Sequence, residues 1–295
     1  MATETTAAPT TTATLTVPGA VLTYDIRPSS GTAHRPLVVI GSPMGASGFV
    51  TLAGHFADRT VVTYDPRGVE RSTKDDPTSL STPEQHADDV HRVIQTLGLG
   101  PVDMFASSGG AVNALALVAA HPDDVRLLVA HEPPLAAIVP DHEAALAACR
   151  AVGDSYQQRG FGAGLAHFMV VVSYQGPFTA EFASQPGPDP QMFGMPADDD
   201  GTRTDPLLFQ NLSTSTAYQP DIAALGAAPT TIVIGVGASG GQTLAHRAGE
   251  AAAGMLGQKA TIFPGGHDGF LGGEYGQTGE SDAFAAKLRE ILDAG

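Results

Sequence analysis

Residues 102–111, Val-Asp-Met-Phe-Ala-Ser-Ser-Gly-Gly-Ala, leave this chain little choice of fold. An apolar run meets a turn built only of small residues, and a helix-forming stretch, 113–120, follows until His121-Pro122 stops it. A strand that gives way to a helix this abruptly holds its turn residue at strained backbone angles, and the positions two before and two after it require small side chains. Ala106 and Gly110 fill those positions when Ser108 is the turn residue. With Ser107 in that role the first small position would fall on Phe105, whose ring does not fit. Ser108 is therefore read as the exposed hydroxyl of a nucleophile elbow, with Ala where the usual Gly-x-Ser-x-Gly has its first glycine.

The rest of the chain supplies the frame such an elbow needs. Residues 13–17 and 21–27 alternate apolar and polar around Pro18-Gly19, which predicts a hairpin. Short, nearly continuous apolar runs follow at 36–40, 60–64, 102–105, 125–130, 230–236 and 260–263, as expected of strands buried on both faces of a parallel sheet. Helical stretches at 49–57, 83–97, 112–120, 242–256 and 282–292 separate them. In 83–97 the residues Ala87, Val90, Val93, Ile94 and Leu97 share a face, Thr82-Pro83-Glu84 caps the start and Gly98 ends it. Strand and helix alternating in this way predict an α/β fold, a mostly parallel sheet with right-handed crossovers and helices on its faces. The alternation breaks between 135 and 225, too long a gap for a loop. The expected organisation is a disordered tail at 1–12, a core of 13–134 and 226–295, and a helical lid inserted at 135–225 with helices at 143–158, 163–174 and 207–217. Bulky apolar residues gather there, and Phe168, Met169, Met192, Phe193 and Met195 are the expected substrate contacts, since methionine-rich surfaces adapt to apolar ligands.

Serine needs a base, and the base needs an acid that fixes its tautomer. Of ten histidines, His267 lies just past the last predicted strand between glycines that let the backbone turn. Ser108 and His267 thus both fall at carboxyl ends of strands, where open α/β sheets carry their sites. His86, His91 and His121 read as surface residues, whereas His131 sits too near a strand end to set aside. The acid usually follows the penultimate strand, but that loop, 237–242, contains no carboxylate. Glu132, at the end of the strand after the elbow helix, is assigned instead; Asp268 adjoins the base and competes weakly. Gly109 supplies one backbone donor of an oxyanion hole. Pro43 has no N–H, so the second donor is Met44 or Ser42, with Met44 favoured.

A net charge of −16 without any Lys/Arg cluster argues against nucleic acid and against an anionic membrane. The partner it favours is a hydrophobic, neutral small molecule; a homo-oligomer stays open. One cysteine, Cys149, excludes an internal disulfide and a cysteine-based zinc site. Neither His131-Glu132 nor His142-Glu143 continues into a zinc-protease motif, and the glycine pairs match no phosphate or dinucleotide fingerprint, so no metal and no cofactor is expected. The first dozen residues do not read as a signal peptide and no run reaches the roughly 20 apolar residues of a membrane span, which leads to a cytoplasmic expectation.

The elbow at Ser108, the Tyr64-Asp65-Pro66-Arg67-Gly68 turn, the inserted lid and Gly265-Gly266-His267 together resemble the α/β-hydrolase superfamily. A serine at the elbow disfavours the dehalogenase and epoxide-hydrolase branches. Ser107-Ser108-Gly109 with His131-Glu132-Pro133-Pro134 is also similar to zearalenone lactonases, whose His-Glu-x-Pro glutamate is the triad acid. The resemblance implies the triad Ser108, Glu132 and His267, and a macrocyclic or aryl lactone as substrate. The function expected is cofactor-independent serine hydrolysis of an ester or lactone through an acyl-enzyme. The alternatives are a cofactor-free perhydrolase or haloperoxidase, a ligand-binding receptor-like module with a vestigial triad, and carbon–carbon bond hydrolysis of a diketone.

Overall fold

The computed structural model describes residues 9–29, 31 and 34–294. The predicted hairpin is β1 (Thr11–Val17) and β2 (Ala20–Arg27), turning at Gly19 with φ of 75°. This shortens the expected tail at 1–12. Thr11 and Thr12 open β1, paired with Ile26 and Asp25, because β-branched threonines suit an edge strand. Residues 1–8 of that tail lie outside the described residues. After the hairpin come β3 (Leu37–Ile40), β4 (Val61–Asp65), a two-residue β5 (Thr73–Lys74) without a sequence signal, β6 (Val102–Ser107), β7 (Val125–His131), β8 (Thr231–Gly237) and β9 (Thr261–Phe263). They form one sheet ordered β1-β2-β4-β3-β6-β7-β8-β9, with β5 beside β2. The pairs from β4 to β9 are parallel; β2 meets β1, β4 and β5 antiparallel.

The helices follow in chain order. A 3-10 turn (Ala46–Phe49) and α1 (Val50–Gly54) replace the single helix expected at 49–57. Next come α2 (Pro83–Leu97) and α3 (Gly109–Ala120), and between β7 and β8 lie α4 (His142–Arg159), α5 (Phe161–Ser173), α6 (Ala180–Ala183), α7 (Leu212–Ala217) and α8 (Ile222–Ala227). The first turns of the helix expected at 207–217 are a π-helical segment, Pro206–Asn211. The chain closes with α9 (Leu244–Met255) and α10 (Ser281–Ala294). Thr82 and Gln85 cap α2 reciprocally and Gly98 ends it at φ 60°.

Within each apolar run, period-2 alternation sends successive side chains to opposite faces. Leu37, Val39, Phe105, Leu127 and Val129 pack with Leu52 of α1 and with Phe284 and Leu288 of α10. Val38, Ile40, Met104, Ala106, Leu128 and Ala130 pack with α2, α3 and α9. Several charged groups buried in this frame are paired with opposite charges, which offsets the cost of burying them. Arg67 makes two hydrogen bonds, 2.8 and 2.7 Å, to the Asp89 carboxylate on α2, and Arg59 and Arg126 flank buried Asp103. Among the described residues no helix is long and apolar enough to cross a membrane.

The chain passes from β3 to β4 on one side, then crosses to β6 on the other. At such a reversal the loops leaving the two central strands diverge and open a crevice at their carboxyl ends. The loop beginning at Gly41 and the turn at Ser108 border that crevice.

Candidate active site

Ser108 stands between β6 and α3 with φ 57° and ψ −130°, the strained geometry expected of the elbow. Its amide donates to His131 O at 3.0 Å, which pins the turn to the end of β7. The need for glycine at 110 has a different origin from the one the sequence suggests. A Cβ there would lie 2.7 Å from Gly41 Cα and 2.8 Å from Ile40 O, so what it would strike is the backbone of the neighbouring strand β3. Gly109 is equally confined, with Ser42 O at 2.5 Å from a Cβ placed on it. The elbow and the Gly41–Met44 loop therefore interlock backbone to backbone.

His267 Nδ1 lies 2.7 Å from Glu132 Oε2, and Glu132 Oε1 accepts the Gly237 amide at 2.9 Å. The Glu132 carboxylate is fully buried, while the His267 side chain is 47% exposed and so free to face a ligand. Burial alone would raise the Glu132 pKa, but the hydrogen bond and charge of His267, with the Gly237 amide, outweigh it and hold the carboxyl at about 2. Glu132 is thus ionised at any working pH. The loop after β8 has no carboxylate for a physical reason as well. A Cβ on Gly240 would meet Glu132 Oε1 at 2.9 Å, and one on Gly237 would meet Gly266 at 2.7 Å. The space beside the imidazole is already filled from β7.

Ser108, Gly109, Ser42, Met44, Glu132 and His267 all border one cavity of about 730 Å³. Its far wall comes from the segment between β7 and β8: Cys149 and Val152 of α4, Phe168, Val171, Val172 and Gln175 on and after α5, and Leu207, Leu212 and Thr216. Of the five substrate contacts expected there, only Phe168 lines the cavity. Phe168, Val171, Val172 and Gln175 follow i, i+3, i+4, i+7, so the face turned to the cavity excludes Met169, which is 41% exposed. Met192, at 79% exposure, lies with Phe193 in a 3-10 turn outside the lining, and Met195 is outside it too.

Two histidine expectations are corrected. His86 is buried on the inner face of α2, with Nε2 2.7 Å from Asn211 Oδ1, and burial pushes its pKa down to about 4. His91 is half-buried: it stacks on His121 at 3.8 Å between centroids and bonds Asp124 Oδ2 at 2.6 Å, a polar knot joining α2 to the turn before β7. The rival base His131 is fully buried among Phe105, Phe263, Phe270 and Phe284, and burial holds it neutral, its pKa lowered to about 3. Its ring does not border the cavity.

A family model described as the alpha/beta hydrolase fold matches residues 37–163. The uncharacterized hydrolase YraK of Bacillus subtilis (strain 168) is 38% identical over 131 residues, 44% of this chain; the match spans about half, 47%, of that relative. Among solved structures, the enol-lactonase from Burkholderia xenovorans LB400 superposes with a TM-score of 0.64 at 19% identity, over 95% of this chain and 100% of that one. A thermophilic esterase from Thermogutta terrifontis superposes with a TM-score of 0.67 at 19% identity, over 97% and 99%. At such identity the likeness is one of fold.

Proposed function

The chain has the α/β-hydrolase fold, and we propose that it uses that fold as a serine hydrolase, cleaving a carboxylic ester or lactone of an apolar small molecule through an acyl-enzyme. The observation that carries this reading is the 2.7 Å contact between His267 and a buried, ionised Glu132 on the cavity that Ser108 also borders.

In this mechanism Ser108 Oγ attacks the acyl carbon while its proton passes to His267 Nε2. Glu132 accepts the Nδ1–H, which leaves Nε2 free to take that proton, and its charge stabilises the imidazolium. The Gly109 and Met44 amides are the donors assigned to the oxyanion. The acyl–oxygen bond then breaks and His267 returns the proton to the departing alcohol, which in a lactone stays tethered to the acyl group. Water gives a proton to His267 and attacks the acyl-enzyme; the carboxylic acid leaves and Ser108 regains its proton.

Residues 135–225 act in this proposal as the lid, with Phe168, Val171 and Val172 presenting an apolar wall to the substrate. The cavity falls in the size range of sites for drug-sized ligands, which suits an aryl or macrocyclic lactone such as zearalenone as well as simple esters. The enol-lactonase and esterase among the structural relatives support the ester and lactone classes.

The test is a panel of 4-nitrophenyl esters and lactones, zearalenone included, with the wild type and Ser108→Ala, alongside labelling by a fluorophosphonate. Turnover and labelling that both vanish in Ser108→Ala are the expected result. Turnover that persists in Ser108→Ala, or no turnover and no labelling in the wild type, overturns the reading.

A further inference from the structure

Among the described residues, the non-glycine residues with positive φ are Glu70 (46°), Ser108 (57°), Glu132 (47°) and Tyr275 (55°), and all four border the same cavity. Backbone strain that persists in side-chain-bearing residues gathers at functional sites. The mechanism uses Ser108 and Glu132; it leaves Glu70 and Tyr275 without a role. These two meet across the mouth. Tyr275 Oη donates to Glu70 Oε1 at 3.1 Å, Ser47 Oγ donates to the same oxygen at 2.6 Å, and the two hydroxyls are 2.8 Å apart. The ring is held firmly from behind, since the Glu274 carboxylate accepts the amides of Thr51 and Gly272 at 2.7 Å each and so fixes the loop carrying Tyr275.

The position of this ring matters as much as its rigidity. A Cβ on Gly45 would lie 2.7 Å from Glu70 Cδ, and one on Gly48 would touch both the Met44 side chain and Tyr275 Cε2, so the carboxylate stands against the loop that carries Met44. Among the described residues no lysine or arginine lines the cavity, whereas Glu70 and Asp268 do, besides Glu132 with its His267 partner. The guanidinium of the next residue in the chain, Arg71, is taken up by Asp65 and Asp25. Among the described residues, Glu70 thus borders the cavity mouth with the hydroxyls of Ser47 and Tyr275 as partners and no cation paired to it.

We propose that the Glu70–Ser47–Tyr275 ring is the specificity element of the site, admitting neutral acyl groups and those bearing hydrogen-bond donors while rejecting substrates that carry a free carboxylate. The proposal rests on the serine-hydrolase reading. A carboxylate entering beside Met44 meets a like charge in a cavity that offers it no cation, and a built-in repulsion of this kind is one of the two ways a site discriminates between substrates.

The experiment compares 4-nitrophenyl hydrogen glutarate, an anion, with its neutral methyl ester, reading nitrophenolate release at low ionic strength. The wild type favours the neutral ester in kcat/KM by at least tenfold, and Glu70→Gln narrows that ratio at least threefold. Glu290→Gln removes the same charge from α10, outside the cavity lining, and leaves the ratio in place, which separates a local effect from that of the overall charge. Tyr275→Phe withdraws one donor from the carboxylate and widens the ratio, so the argument stays testable should Glu70→Gln fail to fold. A Ser108-dependent enzyme whose ratio is near one, or whose ratio Glu70→Gln leaves unchanged, overturns this proposal alone. Absence of both turnover and Ser108 labelling overturns it together with the hydrolase reading.

Discussion

Replacing Glu132 by glutamine changes almost no volume and tests the acid directly. Two N–H groups converge on this carboxylate, His267 Nδ1 at 2.7 Å and Gly237 N at 2.9 Å, and a carboxamide has a single oxygen to offer them. If that oxygen stays with His267, the amide NH2 confronts the Gly237 N–H, and an unsatisfied buried donor costs about 1–3 kcal/mol. If the oxygen turns to Gly237, the NH2 faces Nδ1 and forces the proton onto Nε2, the nitrogen that must accept the proton of Ser108. The second arrangement leaves no donor facing a donor, so it prevails by about one to two decades, and most of the enzyme holds the wrong tautomer. The imidazolium also loses its counter-charge. The hydrogen bond and charge of His267 that hold the Glu132 carboxyl at about 2 show how closely the two groups are coupled, and loss of that counter-charge is expected to remove about two further decades of rate. Together these give a fall in kcat of about three to four decades, with KM nearly unchanged. Steady-state hydrolysis of a neutral 4-nitrophenyl ester between pH 6 and 9 measures it. Circular dichroism confirms that the variant is folded. A folded Glu132→Gln within tenfold of the wild type would refute both the tautomer argument and the identity of the acid.

Two further outcomes follow from the same geometry. The Glu132 carboxyl has its pKa below the unfolded value, so its contribution, about 3 kcal/mol, is fully present above pH ~5 and is lost as pH falls through about 2. Acid unfolding curves of the wild type and Glu132→Gln should accordingly converge between those limits, and a gap that stays constant across the window would contradict the shift. In Gly110→Ala the new methyl strikes the backbone of Gly41 and Ile40, which cannot move aside as a side chain would. A loss of about 1–3 kcal/mol is expected, seen as a melting temperature lowered by roughly 5 °C, and an unchanged one would show that β3 yields easily.

What could be read from the sequence divides according to how far the determining contact reaches. The strained turn at Ser108 could be read because the strand-turn-helix constraint is local, and the meeting of Glu132 with His267 because apolar runs mark the carboxyl ends of strands whose parallel order brings such ends together. The boundary of the edge hairpin was less so, since threonine-rich residues 9–12 look the same in a tail as in β1. Burial of His86 escaped notice because its partner, Asn211, lies 125 residues away. The lid shows the limit most clearly. The spacing of Phe168, Val171, Val172 and Gln175 defines a helical face in the sequence, but nothing local says that this face, and not the one bearing Met169, looks toward Ser108. That choice is made by α4, which packs against this same face of α5 through Tyr156, whose Cβ lies 2.6 Å from where a Cβ on Gly164 would stand, and which itself brings Cys149 and Val152 to the cavity. Glu70 and Tyr275 are the extreme case, 205 residues apart and joined through a hydroxyl and a carboxylate, a pairing with no periodicity and no motif. Chemistry carried on strand ends is therefore inherited with the fold and readable from it. Selectivity carried on helix phase and on loop-to-loop contacts varies freely beneath the same sheet, which is why the reaction class proposed for this chain rests on more of its sequence than the proposed substrate does.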